Sequence, residues 1–152
     1  MKLTKNLSLA EVTKSATAIR MGIANTPSAT HLIALKEVSK NIFQPCREHF
    51  GKPLAVTSGY RSEALNEAIN GSKTSQHSKG EALDLDADVF GGFSNAELFN
   101  YIKDSLDFDQ LIWEFGNNNN PAWVHCSYKT RGNRNEVLIA IKTNNQTTYR
   151  KL

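Results

Sequence analysis

Several features that decide a protein's class are scarce in this sequence. Its 152 residues include two cysteines, Cys46 and Cys126, too few for a disulfide framework and without a CxxC metal motif. No apolar stretch reaches the roughly 18 residues that a membrane-spanning helix needs. No run of Lys and Arg exceeds two residues, and the net charge of +3 is small. We therefore expect neither a membrane nor a nucleic acid as a partner.

The start of the chain also lacks the apolar segment of a secretory signal peptide, so we expect no export signal. What the sequence does have is ordinary globular composition, with 39% hydrophobic and 22% charged residues. The length suits one domain over residues 1–152, large enough to bury a substantial core. We expect that domain to be a monomer.

The pattern of helices and strands predicts an α+β fold. Ser8 with Glu11, and Ser94 with Glu97, have the spacing of a capping box at a helix start. A long helix should begin with Pro27 just inside it and end at Gly51, with a kink or break at Pro45. Short strands are indicated at residues 53–59, 82–89, 108–115, 122–128 and 136–141. We expect a mostly antiparallel sheet with helices packed on one side.

The segment 82–89, "ALDLDADV", alternates apolar and acidic residues as a half-buried strand does. Its apolar side chains should face the core, and these are Leu83, Leu85, Ala87 and Val89. The other face then carries Asp84, Asp86 and Asp88. Alternation alone favours a solvated outer face for these carboxylates.

Two histidines suggest a second interpretation. His77 precedes the acidic strand, and Gly80 allows a sharp turn that brings the imidazole back over Asp84. His125 lies on another predicted strand. For each histidine alone, an ordinary position is the favoured interpretation, in a loop for His77 and half-buried for His125. Together, two imidazoles and a carboxylate suit zinc with an open fourth position, the mark of a catalytic site.

Three motifs carry a family resemblance. "SGYRS" at 58–62, "SQHSKGEALDLD" at 75–86 and "WVHCS" at 123–127 resemble the zinc D-alanyl-D-alanine carboxypeptidase and dipeptidase family of metallopeptidases, within the hedgehog-like superfamily. The opening segment, residues 1–26, is similar to the lead segment of phage and prophage cell-wall peptidases and is expected to pack on the core. The resemblance implies the hedgehog/D-Ala-D-Ala peptidase fold.

The resemblance also implies roles for particular residues. His77, Asp84 and His125 would hold one Zn2+ ion, and Arg61 would be catalytic, stabilising the oxyanion of the transition state. A second set of residues would contact substrate or support the ligands, namely Ser58, Tyr60, Gln76 and Asp86.

The general base departs from the family pattern. One branch has a glutamate three residues before the last histidine, where this chain has Ala122, and another has a histidine two before it, where this chain has Trp123. A hairpin across the Asn run that paired Glu114 with His125 would place Glu114 on the ligand face. We therefore expect Glu114 to be the catalytic base, with Asp86 as the other candidate and a supporting role beside His125 as the alternative for Glu114.

The function implied is zinc-dependent hydrolysis of peptide bonds in bacterial peptidoglycan, at D-amino-acid-containing stem or cross-link peptides, by a carboxypeptidase or an endopeptidase. The alternative is a non-catalytic zinc-containing module that binds cell-wall peptide, as the departure at the base position suggests. The resemblance also implies a phage- or prophage-encoded endolysin or virion component, made in the bacterial cytoplasm and acting on the cell wall.

Overall fold

Strands and helices alternate irregularly along the chain in the computed structural model, which describes residues 1–152. The helices are α1 Leu9–Thr13, α2 Ala16–Met21, α3 Ala29–Val38, α4 Gln44–Phe50, α5 Glu63–Ala68 and α6 Asn95–Ser105. The strands are β1 Lys2–Thr4, β2 Leu7–Ser8, β3 Ala55–Ser58, β4 Ala82–Asp86, β5 Gln110–Glu114, β6 Trp123–Ser127, β7 Glu136–Thr143 and β8 Gln146–Lys151. No helix combines the length and apolar character that crossing a bilayer requires.

Six strands form the main sheet, in the order β3-β4-β6-β5-β7-β8. All neighbouring pairs are antiparallel except β5 and β7, which run parallel. Strands β1 and β2 form a separate small sheet. The expected α+β class with a mostly antiparallel sheet is confirmed. Two strands follow β6, whereas the sequence predicted one. The second, β8, "QTTYRK", was not predicted because it is exposed along its whole length and shows no apolar alternation.

Helices cover one face of this sheet. The core includes Leu83 and Leu85 of β4, Val124 and Cys126 of β6, and Leu98 of α6, all fully buried. These strand residues alternate with Asp84 and His125, which point to the opposite face. The lead segment packs on the same core through Leu7 and Val12. The second face of the sheet is therefore left open for the polar groups.

Capping explains where several helices begin. Both expected capping boxes form, at Ser8 with Glu11 and at Ser94 with Glu97. Helix α3 begins at Ala29 behind an N-cap at Ser28, so Pro27 lies just outside the helix and not inside it. The kink expected at Pro45 takes the form of a π-helical turn, Ser39–Phe43, after which α4 continues to Phe50. Such a turn relieves the clash between a proline ring and the preceding turn of helix.

Strand β4 is shorter than its alternation predicts. It ends at Asp86, and Ala87–Val89 form a 3-10 turn, so the prediction that Asp88 and Val89 extend the strand was wrong. The Oδ1 atom of Asp86 accepts hydrogen bonds from the backbone N–H of Asp88 at 3.0 Å and from Asn95 Nδ2 at 2.9 Å. These local bonds offer the backbone an alternative to the ladder. Val89, expected in the core, is 56% exposed.

Candidate metal centre

A short 3-10 helix, Gln76–Lys79, positions His77. It ends at Gly80, whose φ of 75° is a left-handed conformation that glycine adopts without strain. A Cβ at this position would lie 2.5 Å from the backbone oxygen of His31, so a side chain has no room there. The turn at Gly80 leads directly into β4 and leaves His77 only 2% exposed.

Asp84 and His125 are direct partners across the β4–β6 pair. One oxygen of the Asp84 carboxylate, Oδ1, lies 3.0 Å from Nδ1 of His125 and 3.3 Å from Nε2 of His77. Strand register therefore fixes two of the three expected ligands, and the 3-10 helix brings in the third.

The tautomer of His77 indicates whether the cluster of His77, Asp84 and His125 suits a metal ion. Its Nδ1 lies 2.7 Å from the carbonyl oxygen of Gly59, which can only accept a hydrogen bond, so Nδ1 carries the proton. In the neutral imidazole, Nε2 then presents a lone pair to the Asp84 carboxylate. Two electron-rich atoms face each other, an arrangement that a cation between them would satisfy.

The separations of these atoms agree with a zinc site. One ligand atom from each of His77, Asp84 and His125 can be chosen so that all lie within 4.8 Å of one another. Tetrahedral zinc with bonds of about 2.0 Å holds neighbouring ligand atoms about 3.3 Å apart. Two nitrogens and one oxygen also form the donor set of many catalytic zinc sites. The residues present therefore fit the ion.

The surroundings keep the Asp84 carboxylate ionised. Burial alone would raise its pKa, but when the imidazoles of His77 and His125 are protonated, their charges and hydrogen bonds hold the pKa of Asp84 well below its usual range. An ionised carboxylate is the form that binds a metal ion.

An open cleft of about 1020 Å³ lies over this face of the sheet and contains the cluster. Arg61, Gln76 and Glu114 line it together with the three clustered residues. Ser58 and Tyr60 are not among the lining residues. Tyr60 is buried, and its N–H donates to the Val12 carbonyl at 2.7 Å, so it anchors the lead segment beside the site. Asp86 also lies outside the lining and is engaged with Asn95.

Glu114 reaches the cleft through a different register from the one expected. The structure pairs Glu114 with Trp123 and Ile112 with His125, so the predicted pairing of Glu114 with His125 was wrong by two residues. A shift of two leaves the face unchanged, because side chains alternate along a strand. Glu114 therefore still faces the cleft.

The Glu114 side chain is nearly buried, at 7% exposure. Burial raises the pKa of Glu114 to about 7, with His125 opposing the rise and the Asp84 carboxylate adding to it. A carboxyl group that titrates near neutrality can both accept and donate a proton at physiological pH.

Arg61 has no counter-ion. No carboxylate oxygen lies within 4.0 Å of its guanidinium, and its Nε is buried without a hydrogen-bond partner. Its Nη2 donates a hydrogen bond to Ser75 Oγ at 3.5 Å. Burial lowers the pKa of Arg61, while the Asp84 charge opposes that change. The guanidinium is available to an anionic or carbonyl oxygen of a bound molecule.

A sequence model of the family described as Peptidase M15 matches residues 5–127, a segment that contains His77, Asp84, His125, Arg61 and Glu114. The chain belongs to the Peptidase M15 family. M15 membership supports a hydrolase that acts on a peptide substrate, and the cluster supports a bound metal ion. No curated protein matched the chain.

Two groups of site residues were missed in the sequence. Gly59, inside "SGYR", orients His77 through its carbonyl, a backbone role that no residue type reveals. Outside the M15 segment, Lys142 and Tyr149 of β7 and β8 line the same cleft. Residues 137–141 of β7 are all apolar, so no alternation in the sequence distinguishes the side chains that face the cleft.

Proposed function

We propose that this M15 protein is a zinc-dependent hydrolase of peptide bonds in bacterial peptidoglycan, acting on D-amino-acid-containing stem or cross-link peptides. The observation that carries the proposal is the convergence of His77, Asp84 and His125 beside Glu114 in one open cleft. The substrate class is supported by the motif resemblance and by the family match. The same resemblance, in the opening segment, supports a phage or prophage origin.

His77, Asp84 and His125 would hold the ion. Zinc in such a site polarises a carbonyl oxygen and lowers the pKa of water toward neutrality. The Gly59 carbonyl keeps His77 in the tautomer whose Nε2 is free to bind.

Glu114 would perform the proton transfers. Its carboxylate accepts a proton from the attacking water and then delivers that proton to the nitrogen of the departing amine. Burial raises the pKa of Glu114, which makes its carboxylate a better proton acceptor than an exposed glutamate.

Arg61 would stabilise negative charge. Its guanidinium has no carboxylate partner, so it can donate hydrogen bonds to the oxygen that becomes charged when water adds to the scissile carbonyl. Gln76 lines the same cleft, and its Oε1 is buried without a partner. This amide oxygen can accept a hydrogen bond from a substrate N–H.

The test is peptide release from purified peptidoglycan by the zinc-loaded protein, with products identified by mass spectrometry and His77→Ala as the control. Release by the wild type and not by the variant supports the proposal, and the products distinguish a carboxypeptidase from an endopeptidase. A wild type that holds zinc but releases nothing from several wall chemotypes contradicts it and favours a binding module.

A further inference from the structure

The C-terminal hairpin of β7 and β8 forms one wall of the cleft. Lys142, Thr147 and Tyr149 line it, and Lys142 stands opposite Thr147 in the pair. All of these residues lie beyond the segment that matches the M15 family, whereas Glu114 and the three clustered residues lie within it.

The wall lies next to Glu114. Ala140 pairs with Glu114 on one side and with Tyr149 on the other, so the three side chains share a row on the cleft face. Ala140 is fully buried. Tyr149 therefore lies two strands away from Glu114. Only the small side chain of Ala140 lies between them in this row.

Phe115 lies beneath the ammonium group of Lys142. The Lys142 ammonium lies 5.8 Å from the centroid of the Phe115 ring, a cation–π distance. Phe115 has a φ of 56°, which costs a non-glycine residue energy and redirects the chain immediately after Glu114. Its N–H donates to the Ala140 carbonyl at 3.0 Å, tying this turn to β7. The ammonium is therefore placed at the Glu114 end of the cleft.

The charge on the cleft is predominantly positive. Two acidic residues line it, Asp84 and Glu114, and the cationic residues that line it are Arg61, Lys79, Lys129, Arg134 and Lys142. Lys129 and Arg134 are paired with the buried Asp109. No carboxylate oxygen lies within 4.0 Å of Arg61, Lys79 or Lys142. A cleft with unpaired cations favours a negatively charged substrate.

Two of these cations lie on opposite sides of the cluster. Arg61 follows the edge strand β3, whereas Lys142 is on β7, four positions away in the strand order. Four strand spacings correspond to about 19 Å, and an extended peptide covers that distance with about six residues at roughly 3.3 Å each. A substrate that touched both sides would continue past the cluster in both directions.

We propose that Lys142 is a specificity-determining residue that binds a carboxylate of an acidic peptide, on the side of the scissile bond away from Arg61. This inference rests on the proposed function and narrows it to substrates that carry a free acidic group on the hairpin side. Thr147 and Tyr149 supply hydroxyl groups that can donate hydrogen bonds to the same part of the peptide.

The test uses soluble disaccharide-peptide fragments prepared from purified peptidoglycan, before and after their free carboxylates are amidated with carbodiimide and methylamine. The zinc-loaded wild type is compared with Lys142→Ala and Lys142→Glu. Lys103→Ala is the matched control, since it removes the same charge from an exposed position on α6, outside the cleft.

On the acidic fragments, Lys142→Ala should raise KM about three- to fivefold with kcat little changed, as the loss of one exposed ion pair predicts. Lys142→Glu should raise KM further, and added salt should reduce the differences in KM between the two variants and the wild type. On amidated fragments, Lys142→Ala and the wild type should be equal. Equal KM values for the wild type and Lys142→Ala on the acidic fragments would overturn the inference. The same rise in KM on acidic and amidated fragments would also overturn it.

Binding separates this inference from the proposed function. If the wild type cleaves neither substrate, the proposed function fails, and the dissociation constants of the acidic fragments decide the role of Lys142. Weaker binding by Lys142→Ala than by Lys103→Ala and the wild type would support that role. Equal dissociation constants for all three proteins would overturn it.

Discussion

Asp84 stands directly opposite His125 across two paired strands, and its Oδ1 atom lies 3.0 Å from the Nδ1 of that imidazole. The same oxygen is 3.3 Å from Nε2 of His77. Because sheet register and a short 3-10 helix hold these groups, the cluster is formed by the fold itself. A preformed set of ligands of this kind predicts several measurable properties.

Zinc should stabilise the metal-free protein. At a free zinc concentration about 100 times the dissociation constant, binding to the native state adds about 2.7 kcal/mol to the free energy of unfolding. For a domain of this size, that raises Tm by roughly 5–10 °C. Calorimetry should show the rise in the wild type and its loss in His77→Ala. His49→Ala is the control, because His49 stacks on Tyr101 away from the cleft. An unchanged zinc-induced rise in His77→Ala would contradict the assigned ligands.

Gly59→Ala should weaken zinc binding although Gly59 is not a ligand. The added Cβ would lie 2.3 Å from the Val12 carbonyl oxygen, so the backbone must shift, and with it the carbonyl that orients His77. The loss of such support typically lowers metal affinity about 10- to 100-fold. Competition with a zinc-chelating dye measures this.

Gly132→Ala is the matched control for Gly59→Ala. Nothing lies within 4 Å of a Cβ at Gly132, and its φ of 75° makes the substitution strained, so it should cost stability without changing zinc affinity. Equal affinities for the two variants would show that the Gly59 carbonyl does not matter for the site.

Glu114 should titrate near pH 7 in the metal-free protein. Its burial, with the Asp84 charge adding to the effect, raises its pKa from 4.5 to about 7. Carbon-13 NMR of the labelled carboxyl group measures this directly. Asp84→Asn should lower the value, because it removes a neighbouring negative charge. Zinc should also lower it, so the acid limb of kcat/KM should lie below pH 7. A metal-free titration near 4.5 would show that Glu114 is not held in this environment.

Arg134→Ala should destabilise the fold in a pH-dependent way. Arg134 donates to the buried Asp109 from Nε at 3.0 Å and from Nη2 at 2.6 Å, and these bonds hold the pKa of Asp109 below its usual range. A carboxyl whose native pKa is lowered contributes stability that is complete above about pH 4 and is lost as the pH falls through the native pKa.

The expected loss in Arg134→Ala is about 2 kcal/mol at pH 7, below that of a fully buried pair because Arg134 is half exposed to solvent. Urea unfolding at pH 7 and pH 3 should show a smaller difference from the wild type at the lower pH. Arg150 is exposed on β8, so Arg150→Ala should have the same free energy of unfolding as the wild type at pH 7 and at pH 3. An equal loss at both pH values in Arg134→Ala would contradict an electrostatic origin.

Much of the sheet could be predicted because its strands alternate. Leu83 and Leu85 were assigned to the core and Asp84 to the other face from the sequence alone, and both assignments are confirmed. Alternation is a local property, and burial on one face of a sheet imposes it. Strand β8 lacked that signal, because it is exposed on both faces.

Register was harder to predict because it depends on the turn. The hairpin between β5 and β6 contains Phe115 and Gly116, both with positive φ, which alters where the strands begin to pair. The sequence does not reveal a left-handed phenylalanine, so Glu114 was paired two residues from its true partner, Trp123. The predicted face of Glu114 was nevertheless right, since a shift of two residues leaves a side chain on the same face of the sheet.

The most direct test of the account compares Glu114→Gln with the wild type. The substitution keeps the shape of the side chain and removes its ability to take a proton. Both proteins should bind one zinc ion per chain by elemental analysis, while kcat for peptide release from purified peptidoglycan should fall about 10²- to 10⁴-fold in the variant. Zinc content equal to that of the wild type together with undiminished kcat would contradict the central claim that Glu114 is the base.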